Sequence, residues 1–68
     1  MKTLPERIRK IRKSKGLTQL DVAEKLNITA SAYGQIERNA EHCTYETLLK
    51  ISQVLDVTLN FLLDLESE

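Results

Sequence analysis

The chain has 68 residues, ten basic and ten acidic side chains, and a formal net charge of zero at pH 7. A chain of this length buries only about 60% of the surface that its unfolded form exposes, so we expect one domain, residues 1–68, of modest stability. No run of about 18 apolar residues is present, which excludes a membrane-spanning helix. The charged N-terminus argues against a signal peptide, and the single cysteine, Cys43, excludes an internal disulfide. We therefore expect a cytoplasmic protein.

The charge is unevenly distributed along the chain. Residues 1–15 carry seven basic residues and one acid, a local balance of +6, whereas residues 16–68 carry three basic residues and nine acids, a balance of −6. Such asymmetry is typical either of a charged docking face or of a solvated basic helix. The distribution leaves both interpretations open.

Helical periodicity runs through the whole chain, and no segment alternates polar and apolar residues for long enough to predict a strand. We predict five helices, at about residues 4–15, 19–26, 30–38, 45–55 and 59–65. A threonine stands at the N-cap of each predicted helix. These five threonines are Thr3, Thr18, Thr29, Thr44 and Thr58. The connections are short, which predicts a compact all-α domain.

The first three helices carry the most informative pattern. Thr3 and Glu6 form a capping box for the first helix, and Gly16 offers it a left-handed end. In the second helix an inner apolar stripe is predicted, and Asn27 suits the left-handed turn that follows. The members of that stripe are Leu20, Ala23 and Leu26.

The third helix divides into two faces at about 100° per residue. Its inward residues are Ala32, Tyr33 and Ile36. Tyr33, like Tyr45 at the start of the fourth helix, is expected to be a packing residue with its hydroxyl at the surface. Its outward residues are Ala30, Ser31, Gly34, Gln35 and Arg38. Small and polar outward residues suit close approach to the major groove of DNA, so the second and third helices together predict a helix-turn-helix.

Four blocks of sequence resemble one known family. In order, they read KGLTQLDVAEKLNIT, IERN at residues 36–39, TLLKISQVLDV at residues 47–57, and the closing FLL. The chain is similar, over about residues 5–65, to the lambda-repressor-like helix-turn-helix superfamily, which includes Cro, phage repressors, restriction–modification controllers and antitoxins. The resemblance implies a compact five-helix domain with the helix-turn-helix in helices two and three.

The same resemblance assigns roles to individual residues. It implies that Gln19 contacts a phosphate, that Arg38 lies near the DNA backbone, and that Arg12 and Glu37 form a partly buried ion pair. It also implies that four residues of the third helix face the bases. These base-facing residues are Ala30, Ser31, Gly34 and Gln35. Gln35 suits two-point bonding to adenine, and Ala30 suits contact with a thymine methyl.

Further contacts are predicted around this helix. Helix starts favour phosphate, and basic side chains on the first helix have either a phosphate or a solvated face as their role. The additional phosphate candidates are Thr18, Thr29, Arg9, Lys10 and Lys13. The last helix is apolar nearly all round, which predicts a two-fold dimer contact, with core packing as the alternative. The dimer candidates are Phe61, Leu62 and Leu65.

Catalysis and metal binding are not predicted. His42 and Cys43 are adjacent, but no other Cys or His is available to complete a four-ligand metal site. No nucleophilic triad or phosphate-binding glycine loop is present, and no cofactor is expected. The predicted function is a sequence-specific, homodimeric transcriptional regulator, a repressor or autoregulator, on a palindromic operator in double-stranded DNA. RNA polymerase and a cognate toxin are further candidate partners. The alternative is a protein-interaction module, such as an antitoxin or adaptor, with little DNA binding.

Overall fold

A computed structural model describes residues 3–63. Its helices are α1 (Leu4–Ser14), α2 (Gln19–Leu26), α3 (Ala30–Arg38), α4 (Tyr45–Leu55) and α5 (Leu59–Leu62), with a short 3-10 turn at Ala40–His42 between α3 and α4. The predicted all-α class and its five helices are confirmed for this part of the chain. The last helix, predicted to run to residue 65, ends at Leu62, and residues 64 and 65 lie outside the described residues. Among residues 3–63 no helix is long and apolar enough to cross a membrane.

Each of the five helices has its predicted threonine at the N-cap, immediately before the first helical residue. In every case the threonine hydroxyl accepts a hydrogen bond from the backbone N–H three residues later, at 3.0 to 3.4 Å. At α1 and α2 the side chain of Glu6 or Asp21 also accepts from the threonine N–H, which completes a capping box. The hydrogen bonds from Thr18 lower the pKa of Asp21. Because an N-cap stabilises a helix by about 1 kcal/mol, these caps fix where each helix starts.

Three residues with positive φ end or separate the helices. Gly16 has φ of 74° after α1, Asn27 has φ of 66° after α2, and Asp56 has φ of 61° after α4. Glycine, asparagine and aspartate tolerate this left-handed region better than other residues. The predicted left-handed positions of Gly16 and Asn27 are thus confirmed.

The core draws on every helix and on the 3-10 turn. Its buried apolar residues are Ile8, Ile11, Val22, Ala23, Tyr33, Ala40, Leu48, Ile51, Leu55 and Leu62. Leu20, predicted on the inner stripe of α2, is instead 52% exposed, whereas Val22 is fully buried. At about 100° per residue, Val22 lies about 40° from Leu26 around the helix and Leu20 about 120° from it. The core-facing side of α2 is therefore centred on Val22, Ala23 and Leu26.

Candidate nucleic-acid interface

The turn between α2 and α3 sets the angle between these two helices. Asn27 adopts the left-handed conformation, and the N–H of Ile28 donates to the carbonyl oxygen of Ala23 at 2.9 Å. Ala23 is fully buried, and Ile28 packs against the core. A small side chain at Ala23 lets the helices approach closely. The three-residue connection therefore holds α3 against α2 as a helix-turn-helix.

A buried carboxylate joins α3 to the rest of the domain. Glu37 is 1% exposed, and its Oε2 accepts from Arg12 Nε at 2.8 Å and from the Tyr33 hydroxyl at 3.0 Å. Its Oε1 accepts from Gln19 Nε2 at 2.9 Å, with Arg12 Nη2 at 3.5 Å. Arg12 is itself 5% exposed. Glu37 is therefore the centre of a network, which we call the Glu37 network, of these four side chains.

The Glu37 network spans three helices and one loop. Arg12 lies on α1, Gln19 on α2, and both Tyr33 and Glu37 on α3. Arg12 Nη1 also donates to the carbonyl oxygen of Leu17, in the α1–α2 loop, at 2.9 Å. No buried side-chain nitrogen or oxygen among residues 3–63 lacks a hydrogen-bond partner. Because buried polar groups are costly unless satisfied, the network permits only one arrangement of α3 relative to α1 and α2.

The electrostatics of the Glu37 network keep Glu37 charged. Burial alone raises the pKa of Glu37, but the hydrogen bonds from Arg12, Gln19 and Tyr33, together with the Arg12 charge, outweigh it and lower the pKa. Burial, followed by the charge of Glu37, raises the pKa of Tyr33. Tyr33 therefore remains a neutral phenol that donates to a carboxylate.

Two tyrosines, one of them in the Glu37 network, lie differently from the sequence-based prediction. Tyr33 was expected to keep its hydroxyl at the surface, yet the side chain is fully buried and the hydroxyl bonds Glu37. The spacing of four residues between Tyr33 and Glu37 places both on one helix face and could have indicated this pair. Tyr45, expected to pack in the same way, is 67% exposed at the start of α4.

The outward face of α3 is small and polar, as predicted. Ser31, Gln35 and Arg38 are exposed, and Ala30 is half-buried. Gln35 is the exposed residue of this face with a planar amide, which both donates and accepts hydrogen bonds. The face therefore offers two side chains that can form two-point hydrogen bonds, the Gln35 amide and the Arg38 guanidinium, next to small residues that leave the helix accessible.

Gly34 departs from the predicted outward face. It is buried rather than open, because the side chains of Gln19 and Arg38 lie across it. A Cβ at this position would lie 3.5 Å from Arg38 Nη1 and 3.5 Å from Gln19 Oε1. The expectation that Gly34 itself faces the bases is therefore wrong, and any ligand at this point of α3 meets Gln19 and Arg38 first.

We expect Gly34→Ala to stabilise the domain by about 0.5–1 kcal/mol, because alanine favours the helix and the new methyl makes only ordinary van der Waals contacts. Urea denaturation of the variant measures this gain. Gly16→Ala is the matched control and should destabilise, since Gly16 has φ of 74°. A loss of stability in Gly34→Ala would show that the Gln19 and Arg38 side chains cannot adjust.

The predicted phosphate contacts fall on two sides of the molecule. Gln19 and Thr18 lie at the start of α2, and Thr29 and Arg38 lie at the two ends of α3. On α1, Arg9 is on the Arg12 side, which faces α3, and Lys13 points outward.

Lys10 lies apart from the other basic residues predicted to contact phosphate. It lines a groove between α1 and α5. Arg7, on the same side of α1, bonds the carbonyl oxygens of α5 residues Phe61 and Leu62. Lys10 is therefore on the opposite edge of α1 from the residue that binds α3.

The predicted dimer residues differ in their exposure to solvent. Phe61 is 43% exposed, so it is accessible to a second chain. Leu62 is fully buried among the core residues of its own chain, so its assignment to a dimer surface is wrong. The backbone turns at about 100° per residue, and neighbours on a short helix therefore face different directions. Leu65 lies outside the described residues.

The region around the cysteine is an ordinary structural loop. The Cys43 thiol lies 3.7 Å from the carbonyl oxygens of both Ile36 and Asn39, and burial raises its pKa. No cluster of three or more potential metal-ligating side chains occurs in the part of the chain that the structure describes. Cys43 therefore packs the end of α3 against the 3-10 turn.

The fold and the Glu37 network define the class: a compact all-helical domain that presents one helix of a helix-turn-helix. A family model described as a helix-turn-helix matches residues 8–62. The chain belongs to this lambda-repressor-like helix-turn-helix family. No solved structure gave a significant match.

Several named relatives are similar over nearly the whole chain. An uncharacterised HTH-type transcriptional regulator of Bacillus subtilis, YqaE, is 47% identical over 62 residues, covering 91% of this chain and 53% of the relative. The HTH-type transcriptional regulator SinR of the same organism is 39% identical over 93% of this chain and 58% of its own. The HTH-type transcriptional regulator ImmR, also of Bacillus subtilis, is 36% identical, covering 90% of this chain and 48% of the relative. The chain thus spans about half the length of the relatives that it matches, and none of the three is named as an enzyme.

Proposed function

We propose that the chain is a sequence-specific, double-stranded DNA-binding transcriptional regulator that inserts α3 into the major groove. The observation that carries this proposal is the outward face of α3, held at a fixed angle by the Glu37 network. Its exposed residues Ser31, Gln35 and Arg38 are small or polar. Such a face suits the groove width of about 12 Å and the donor and acceptor pattern of the bases.

Phosphate contacts position this helix. We assign them to the starts of α2 and α3, to Gln19 and Arg38 beside α3, and to Arg9 and Lys13 on α1. The N-terminal ends of helices carry partial positive charge and unpaired N–H groups, which favour phosphate oxygens. Gln19 serves two roles in this proposal, since the amide that bonds Glu37 also lies over Gly34 at the α3 surface.

Two copies of the chain bind together in this proposal. A two-fold dimer presents two α3 helices about 34 Å apart, which matches one turn of DNA and a palindromic operator. Phe61 is the accessible apolar residue of α5 for that contact. Occupation of the operator would make the protein a repressor or autoregulator. The relatives named as transcriptional regulators support the broader role in transcription regulation.

A salt titration with random duplex DNA tests the proposal. For a DNA-binding protein the logarithm of the binding constant falls linearly with the logarithm of salt concentration, with a slope of about −0.9 per phosphate contacted. We expect Lys13→Ala to reduce the slope, and Lys50→Ala, an exposed lysine on α4, to leave it unchanged. Sedimentation of the free and DNA-bound protein measures the number of chains.

The competing function is a protein-interaction module, supported by the zero net charge and by Glu41 in the loop before α4. The absence of binding to any duplex at low salt would contradict DNA binding and favour this module. Equal slopes for the native chain and Lys13→Ala would contradict the assigned phosphate contact. A single chain on DNA at saturation would contradict the dimer.

A further inference from the structure

A groove between α1 and the start of α5 lies outside the helix-turn-helix. Its volume is about 680 Å³, within the range of roughly 300–1,000 Å³ that is usual for ligand pockets. Apolar side chains of Ile11, Val57 and Phe61 line it. The core does not fill this groove, and Phe61 is exposed there.

The rim of the groove is basic. Lys10 and Lys15 line it and are exposed, whereas a single carboxylate among residues 3–63, Asp56, lies on the opposite side. Arg7 also lines the groove, and its guanidinium lies 5.0 Å from the centre of the Phe61 ring while bonding the Phe61 carbonyl oxygen. The Arg7 contacts fix the orientation of Phe61, so this wall of the groove is preformed.

We infer that this α1–α5 groove docks an acidic amphipathic segment of a partner protein. Apolar side chains of the segment would pack on Ile11, Val57 and Phe61, and its Asp or Glu side chains would pair with Lys10 and Lys15. The commitment to an acidic partner follows from charge complementarity, because within the described part of the chain Lys10 and Lys15 outnumber the one carboxylate on the rim. A helix laid in an apolar groove is a common form of such recognition.

This site is separate from the face that carries the proposed DNA contacts. Arg12, on one edge of α1, bonds Glu37 of α3, whereas Arg7, on the other edge, bonds α5. The groove thus opens beside α5 and away from α3. A partner bound there leaves Ser31, Gln35 and Arg38 exposed. It covers Phe61, so it would compete with the proposed dimer contact at that residue.

The test uses a fluorescent helical peptide with leucines along one face and glutamates beside them, and the same peptide with lysines replacing the glutamates. Fluorescence anisotropy with the full chain should show binding of the glutamate peptide and not of the lysine peptide. Lys15→Glu should weaken binding about fivefold or more, since it turns an attractive rim contact into a repulsive one. Lys50→Glu, the same change on exposed α4, should leave binding unchanged.

Three results would overturn the inference. Equal affinity for the two peptides would show that the groove does not select acidic side chains. The absence of binding by either peptide would show that the groove does not dock such a segment. If sedimentation shows instead that Lys15→Glu alters self-association without altering peptide affinity, a second copy occupies the groove and the inference fails. If Lys15→Glu retains the native affinity for DNA, a failure of the groove inference is distinguished from a failure of the proposed DNA-binding function.

Discussion

Replacing Glu37 with alanine is expected to destabilise the domain by about 3–5 kcal/mol, because it leaves the buried Arg12 guanidinium without its charged partner. The substitution also removes the acceptor of the Tyr33 hydroxyl and of the Gln19 amide. Native domains are stable by about 0.05–0.15 kcal/mol per residue. For a chain of 68 residues, this gives roughly 3–10 kcal/mol in total. The loss is therefore at least about a third of the stability, and urea or thermal denaturation measures it.

Two controls distinguish the effect of losing the Glu37 network from the effect of losing any negative charge. Glu24→Ala, an exposed glutamate on α2, should change stability by less than about 0.5 kcal/mol. Replacing both charges, in Arg12→Met with Glu37→Leu, should recover the part of the loss that comes from the unpaired Arg12 charge, while the buried Tyr33 hydroxyl remains without its acceptor. An unchanged melting temperature in Glu37→Ala would refute the role of Glu37 in holding α3.

The contribution of charged Glu37 to stability should also be lost in acid. The folded state lowers the pKa of Glu37 below its ordinary value of 4.5, so folding favours the charged form. The resulting stabilisation is fully present above pH 4.5 and is lost as the pH falls from there through the folded pKa. Glu37→Gln, if it folds, should lose less stability over this acidic range than the native chain does. Parallel acid dependence of the two chains would contradict this assignment.

Local features of the fold were predictable from the sequence because their causes lie within a few residues. A threonine three positions before its hydrogen-bond donor caps each helix, and Gly16 and Asn27 adopt the left-handed conformations that their side chains allow. Such interactions depend on neighbours along the chain. The helix limits and the helix-turn-helix could therefore be predicted without any knowledge of tertiary packing.

Features that depend on distant residues were predicted less well. The burial of Gly34 arises from the side chain of Gln19, on another helix, together with that of Arg38. The burial of Leu62 depends on how α5 lies against the core, and the hydroxyl of Tyr33 turns inward because Glu37 is charged there. Helical periodicity gives the direction of a side chain only to within a broad arc. Which part of that arc is covered is decided by tertiary contacts.

The second large effect concerns the proposed reading of DNA sequence by α3. With Gly34 covered and Ala30 and Ser31 small, Gln35 is the exposed side chain on α3 whose amide both donates and accepts hydrogen bonds in one plane, as a two-point contact to adenine requires. A two-point contact to a base is worth about 1–3 kcal/mol of discrimination. Gln35→Ala should therefore reduce the preference for the selected duplex over a random duplex by roughly 5- to 150-fold.

The measurement first selects bound duplexes from a random pool and then titrates the best one and a scrambled one with each variant. Gln53→Ala is the matched control, since Gln53 is an exposed glutamine on α4, away from α3. The control should leave both affinities unchanged, and Gln35→Ala should weaken the selected duplex much more than the scrambled one. An equal loss on both duplexes would assign Gln35 to the phosphates. Specificity would then depend on DNA shape, or on the Gln19 and Arg38 side chains that cover Gly34.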